Sequence, residues 1–242
     1  MGTQMPRPPI PQHGPQRPAP SPVEPVTSVV HRAFNAHGGQ AFRAAVDSVA
    51  EGTLTRYGMQ GPYEQVPVIV WRKGDSQVMR TIRSATGEQR QGLNRTQTWD
   101  ATGPFVTLAR GPALEFLEMQ TVRSLPNLFD YQARGSRLRD DGMRGNDRAV
   151  TIEELNGRST TYVINSGTSY VSRMEVVTDQ APNMFGREVS VVQSYVFSNF
   201  RMVQGVPTPF KIEHFTNDLK VEEIVFTTFR YNNGLTDDIF HP

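Results

Sequence analysis

The sequence predicts a mainly β, α+β chain: about ten antiparallel strands closed or nearly closed into a barrel, with two short helices before them and one in their midst. Three observations carry this. Residues 190–242 hold three apolar-rich runs, 189–200, 209–215 and 219–231, separated by Gln204-Gly205-Val206-Pro207 and Thr216-Asn217-Asp218. Runs divided by such turn residues read as an antiparallel meander. Asn156-Gly157 and Ser166-Gly167 mark two more hairpins, because both pairs tolerate positive φ. Further upstream, runs 48–57, 67–72 and 76–83 are strand-like and carry no helical stripe. At 242 residues the chain can bury a sizeable core in a single β domain.

Residues 1–25 contain nine of the 18 prolines and no apolar periodicity. They read as an extended, disordered tether, with Pro8-Pro9-Ile10-Pro11 as the piece that a proline-reading domain would take. Residues 26–242 read as one domain. Its first helix is capped by Thr27 or Ser28, sets Val26, Val30 and Phe34 on one side, and stops at His37-Gly38-Gly39. A second runs over 40–46 with Phe42 and Val46 on one face. The strands then begin. Lys73-Gly74-Asp75 is a tight connection, a further strand ends at Trp99, and residues 101–104 form a loop. The central helix spans 111–124, with Pro112 at its first position and Pro126 barring its continuation. A polar, glycine-punctuated stretch follows before strands 149–155, 159–165 and 169–178.

Charge and composition exclude several functions. Lys plus Arg number 25 against 24 acidic residues, a net charge of +1, so no global field gathers nucleic acid or anionic membrane. With no cysteine, disulfides, thiolate metal sites and a cysteine nucleophile are excluded. No apolar run approaches the roughly 18 residues of a membrane span. The start MGTQMPRPPIPQ lacks the apolar region of a secretory signal.

The ordered features then resemble a family. A helix ending in His37-Gly38-Gly39 is followed by Val49-Ala50-Glu51-Gly52-Thr53-Leu54, a loop-and-Trp motif around Trp99, and a central helix. The pattern Phe200-Arg201-x-Val203-x-Gly205-Val206-x-x-Pro209 and a closing segment 232–242 complete it. Together these resemble the bacterial outer-membrane lipoprotein-sorting and carrier proteins of the LolA/LolB-like fold, over residues 26–242. The resemblance implies a half-open antiparallel β-barrel with helices covering its mouth and an apolar cavity that shelters acyl chains in the periplasm or cell envelope. It implies a non-enzymatic lipid or lipoprotein carrier, or else a sensor or scaffold of the same fold without cargo. The expected partners are a lipid or lipoprotein acyl chain and an envelope protein, with no cofactor and a monomeric state.

Strand alternation puts Tyr195 and Phe197 on one inner face and Phe210 and Ile212 on the next. With Phe34, Trp99, Leu114 and Leu117 these form the expected cavity and lid. Arg134, Arg137 and Arg139 lead a basic cluster that reads either as a solvated loop balanced by Asp140, Asp141 and Asp147 or as a patch for head groups or an acidic partner.

Two other chemistries compete with binding. Gly74-Asp75-Ser76 and Asp238-x-x-His241 match blocks of the GDS-type serine esterases, but that motif belongs on a doubly wound α/β sheet, and here hairpins occupy the positions. The five histidines show no metal-ligand spacing, and Asp140-Asp141-Gly142 lacks the oxygen series of a calcium loop.

Overall fold

The computed structural model describes residues 24–95, 97–178 and 190–242, so the expected tether lies almost wholly outside the described residues. Thirteen strands form one antiparallel sheet: β1 (Asp47–Gly58), β2 (Gly61–Lys73), β3 (Gln77–Ser84), β4 (Gly87–Asn94), β5 (Gln97–Thr102), β6 (Phe105–Thr107), β7 (Arg137–Arg144), β8 (Asp147–Glu153), β9 (Ser159–Ile164), β10 (Val171–Thr178), β11 (Val191–Val203), β12 (Val206–Thr216) and β13 (Leu219–Tyr231). Their order is β6-β5-β4-β3-β2-β1-β13-β12-β11-β10-β9-β8-β7. Each strand thus lies beside its neighbour in sequence, except at the β1–β13 seam, which joins the two halves. The edges, β6 and β7, do not pair. The sheet is an open trough, and the chain that crosses from one edge to the other carries α3 (Pro112–Gln120) and α4 (Leu125–Phe129).

Among the described residues thirteen strands stand where about ten were expected, and the difference has physical causes. β4, GEQRQGLN, carries no apolar alternation, because its inward residue Gln91 serves a hydrogen-bond network rather than an apolar core. β7 holds Arg137, Arg139 and Arg144 of the arginine cluster expected on a loop, with Arg134 in the turn before it and Arg148 on β8. β7 is an edge strand, where charge and a bulge between Asp140 and Gly142 protect an open ladder. Pro126 ends no helix; it sits in the first turn of α4, where a missing N–H is harmless.

Curvature is built in at the seam. The register shifts between Glu51 and Gly52, and a Cβ on Gly52 would meet the Val225 carbonyl oxygen at 2.2 Å. Only glycine permits that approach, so the bulge bends β1 around the core. The concave face is packed by residues such as Leu54, Val68, Ile152, Tyr162 and Phe226. At one end it is closed by α1 (Val26–Ala36), which buries Val29, Val30 and Ala33, and by α2 (Gln40–Ala44). α3 lies in the trough and packs against β3, β4 and β5.

Trp99 faces the other way. Along the cross-strand row Trp71, Met79, Gly92 and Trp99, all four share the convex face. There Trp99 is buried with Met79, Ala101 and Phe240, and its indole N–H donates to the Phe240 carbonyl at 3.1 Å. The indole lies over Gly92, where a Cβ would come within 2.4 Å of the ring.

Candidate functional site

The site starts from the turn between α1 and α2. Gly38, at φ 101°, takes a conformation that favours glycine, and a Cβ there would stand 2.9 Å from the Gly205 carbonyl oxygen. The turn therefore closes onto the β11–β12 hairpin, and His37 is driven inside. The imidazole is 2 % exposed, and its Nε2 accepts the Val171 N–H at 2.9 Å. Phe129, Tyr170 and Phe200 surround it at centroid distances of 5.4 to 6.0 Å. Burial lowers the His37 pKa to about 4, so the ring stays neutral and can accept.

Beneath this lid lies a cavity of about 110 Å³. His37 and Phe42 roof it, Met119 from α3 and Leu125 from α4 close one flank, and Met174, Phe197, Ile212 and Phe226 form apolar wall. The polar residues Ser48, Arg72, Thr208 and Tyr231 line the same space, as do Gln120 and Ser124.

A second, polar compartment sits further along α3. Arg80, 1 % exposed, donates to Gln91 at 2.5 Å and to Glu222 at 3.1 Å, and its guanidinium stacks 4.3 Å over Phe116. Beyond it, His214 Nε2 lies 2.8 Å from Gln193 Oε1 and 3.6 Å from Glu115 Oε2, with the Tyr195 ring stacked at 4.3 Å. Glu115 Oε2, Tyr195 OH and His214 Nδ1 are buried without hydrogen-bond partners among the described residues. Burial, then the charges of Glu118 and Glu222, raise the Glu115 pKa to about 7; burial lowers that of His214 to about 4. Both groups are accordingly neutral over the interval between.

The sequence-expected residues separate. Phe197 and Ile212 stand on the cavity wall. Tyr195 lies in the polar compartment, while Phe210 and Leu117 belong to the packed core, Phe210 beneath the Arg201 guanidinium at 4.4 Å. Leu114 is half-buried on α3. Phe34 packs edge-on to Phe129 at 5.5 Å, outside the cavity. Trp99 is on the convex face, because one step along a strand reverses the face presented. Arg134 pairs with Asp75; Arg139 binds Asp141 at 2.7 Å and Glu153 at 2.5 Å; Arg137 is exposed on β7. With Arg144 on Glu175 and Arg148 on Asp140, much of that cluster is neutralised by its neighbours.

Asp75 of the esterase-like block is held by Arg134, and His241 Nδ1 lies 3.2 Å from the Asn94 amide; neither Ser76 nor Asp238 contacts His241 by a side-chain hydrogen bond among the described residues. Sequence reading missed His37 as a lid contact and Arg72 as a lining residue. The signal for Arg72 was its two-residue spacing from the inward Val70.

No protein-family model matches the sequence, and no curated protein sequence matches it. Solved structures do. A LolA superfamily protein from Nitrosomonas europaea superposes with a TM-score of 0.59 at 11% identity, covering 89% of this chain and 97% of that one. A domain from Vibrio parahaemolyticus, named for outer membrane lipoprotein sorting, gives 0.58 at 10% identity over 88% and 95% of the two chains. The chain has the LolA-like open-barrel fold, as its resemblance implied.

Proposed function

We propose that this chain is a non-enzymatic binding protein of the cell envelope whose cavity takes an acyl chain, of a lipid or of a lipoprotein, in a carrier or sorting role. The observation that carries the reading is the roofed apolar cavity of about 110 Å³ in a LolA-like trough. The likeness supplies the fold; the cavity supplies the reason to assign a ligand.

Burial of each methylene contributes about 0.8 kcal/mol, so an acyl chain gains affinity with every carbon it inserts. A dry cavity of about 150 Å³ holds a benzene ring. The present one therefore seats the end of a chain, and a longer chain requires α1, α2 or the α3–α4 segment to move outward. Apolar contacts such as Phe34 on Phe129 are suited to that movement, since the burial of apolar surface is non-directional. The proposed carrier acts as a monomer, and any envelope partner would receive or deliver the chain at the lid.

Native mass spectrometry of protein purified without detergent tests the reading. The expected result is added mass that solvent extraction recovers as acyl lipid, and that decreases when Ala50, on the cavity wall, is enlarged to Leu. A protein that carries no acyl lipid and takes up none on incubation contradicts it.

A further inference from the structure

Strand register places three polar side chains of the cavity in one row. Ser48 on β1 lies opposite Arg72 on β2 and opposite Tyr231 on β13. Directly opposed residues share a face of the sheet, and all three line the cavity. Thr208 joins them, its hydroxyl 2.9 Å from that of Tyr231. Three hydroxyl-bearing strands, β1, β13 and β12, thus follow one another on the side of β2 away from β3, with the guanidinium at the end of the row.

That guanidinium has no direct partner among the described residues. The Arg72 side chain makes no hydrogen bond, ion pair or ring contact with any other group among the described residues. Nearby carboxylates are engaged elsewhere: Asp75 by Arg134, and Asp47 by the backbone N–H groups of Asn233, Gly234 and Leu235. The Arg72 side chain is half-buried, and burial holds its pKa below the ordinary arginine value, while the nearby Tyr231 and Asp75 oppose that shift. A core residue at this position would be apolar. Unpaired charge beside an apolar cavity is instead what an anionic ligand would complete.

We infer that Arg72 is an anion anchor for the cavity, taking the oxyanion head of an amphiphile, carboxylate or phosphate, whose chain lies against Phe197, Ile212 and Phe226. Arginine suits either head, because its planar fork matches two oxygens at once. Ser48 and the Thr208–Tyr231 hydroxyl pair stand ready to donate to the remaining oxygen lone pairs. The inference rests on the acyl-binding reading and narrows it: the ligand carries a negative head, and a neutral acyl ester binds less well.

Equilibrium binding at mildly alkaline pH of dodecanoate, its methyl ester and a lysophosphatidate of the same chain length tests this on wild type, Arg72→Met and Arg72→Lys. Dodecanoate or lysophosphatidate is expected to bind wild type at least about tenfold more tightly than the ester. In Arg72→Met the preference disappears while ester affinity is kept, and Arg72→Lys retains part of it. The ranking of the two anions tells whether a free fatty acid or a phospholipid is the source. Without ligand, Arg72→Met should melt no lower than wild type, since no hydrogen bond or ion pair of the Arg72 side chain is lost. Equal binding of acid and ester to wild type overturns the anchor and leaves the acyl reading standing, as does a preference that survives in Arg72→Met. Failure of every ligand to bind wild type overturns the acyl reading and the anchor with it.

Discussion

The imidazole Nε2 of His37 accepts the backbone N–H of Val171 at 2.9 Å, tying the α1–α2 turn to the start of β10 across 134 residues of chain. This bond closes the roof of the cavity. Replacing His37 with Ala leaves a buried N–H unpaired and should destabilise the protein by about 1–3 kcal/mol in a denaturant titration. Its pH dependence has a definite sign. The folded-state pKa, about 4, is depressed below the unfolded value of 6.5, so the stabilising contribution is present above pH 6.5 and lost as pH falls through about 4. His37→Ala should show a shallower acid loss of stability than wild type.

Glu115 and His214 face one another at 3.6 Å with opposite shifts. The Glu115 pKa, raised to about 7, makes its contribution fall as pH rises from the unfolded value of 4.5. The His214 pKa, lowered to about 4, makes its contribution fall as pH drops from 6.5. Over the shared interval, about 4.5 to 6.5, unfolding releases one proton and takes up another, and the two slopes cancel. Each single substitution should expose the other group. Glu115→Gln is expected to lose stability on acidification more steeply than wild type, and His214→Gln to lose it as pH rises, in chemical denaturation repeated across that interval. Parallel pH profiles in all three proteins would contradict the assignment.

Phe240 is fully buried and receives the Trp99 indole hydrogen bond at its carbonyl. Phe240→Ala should therefore cost about 3–5 kcal/mol of unfolding free energy. Because this cluster is on the convex face, acyl binding measured below the melting transition should be unchanged. A selective loss of binding would place Trp99 in the site after all.

Gly52 is where β1 bends onto β13. An added methyl group would meet the Val225 carbonyl oxygen at 2.2 Å and Phe226 Cα at 2.8 Å, both backbone atoms that cannot step aside. Gly52→Ala should reduce soluble folded yield or lower the melting temperature by many degrees, a larger effect than Gly58→Ala, where the nearest neighbour is the Tyr63 ring at 3.5 Å.

These particulars show where sequence reading succeeds. The meander β11 to β13 was legible because apolar alternation and the turns at Gly205 and Asn217 coincide, and Asn156-Gly157 marked its hairpin for the same reason. β4 was not, since alternation is visible only where the inner face is apolar, and Gln91 is inward to meet Arg80 and Asp100. The face that Trp99 takes depends on register with Gly92, which a strand-by-strand reading does not supply. Phe197 and Ile212 were placed by parity, yet whether they border space or packed atoms depends on how far α3 enters the trough. Arg72 was the least legible, because the absence of a partner is a property of every strand around it.

The most direct test of the central claim is diffraction from crystals grown with a fatty acid brominated at its terminal carbon. An anomalous bromine peak within the cavity, among Met174, Phe197 and Phe226, is the predicted result. A bromine found only on the outer surface, or none at saturating ligand in well-diffracting crystals, would contradict the claim that this trough holds an acyl chain.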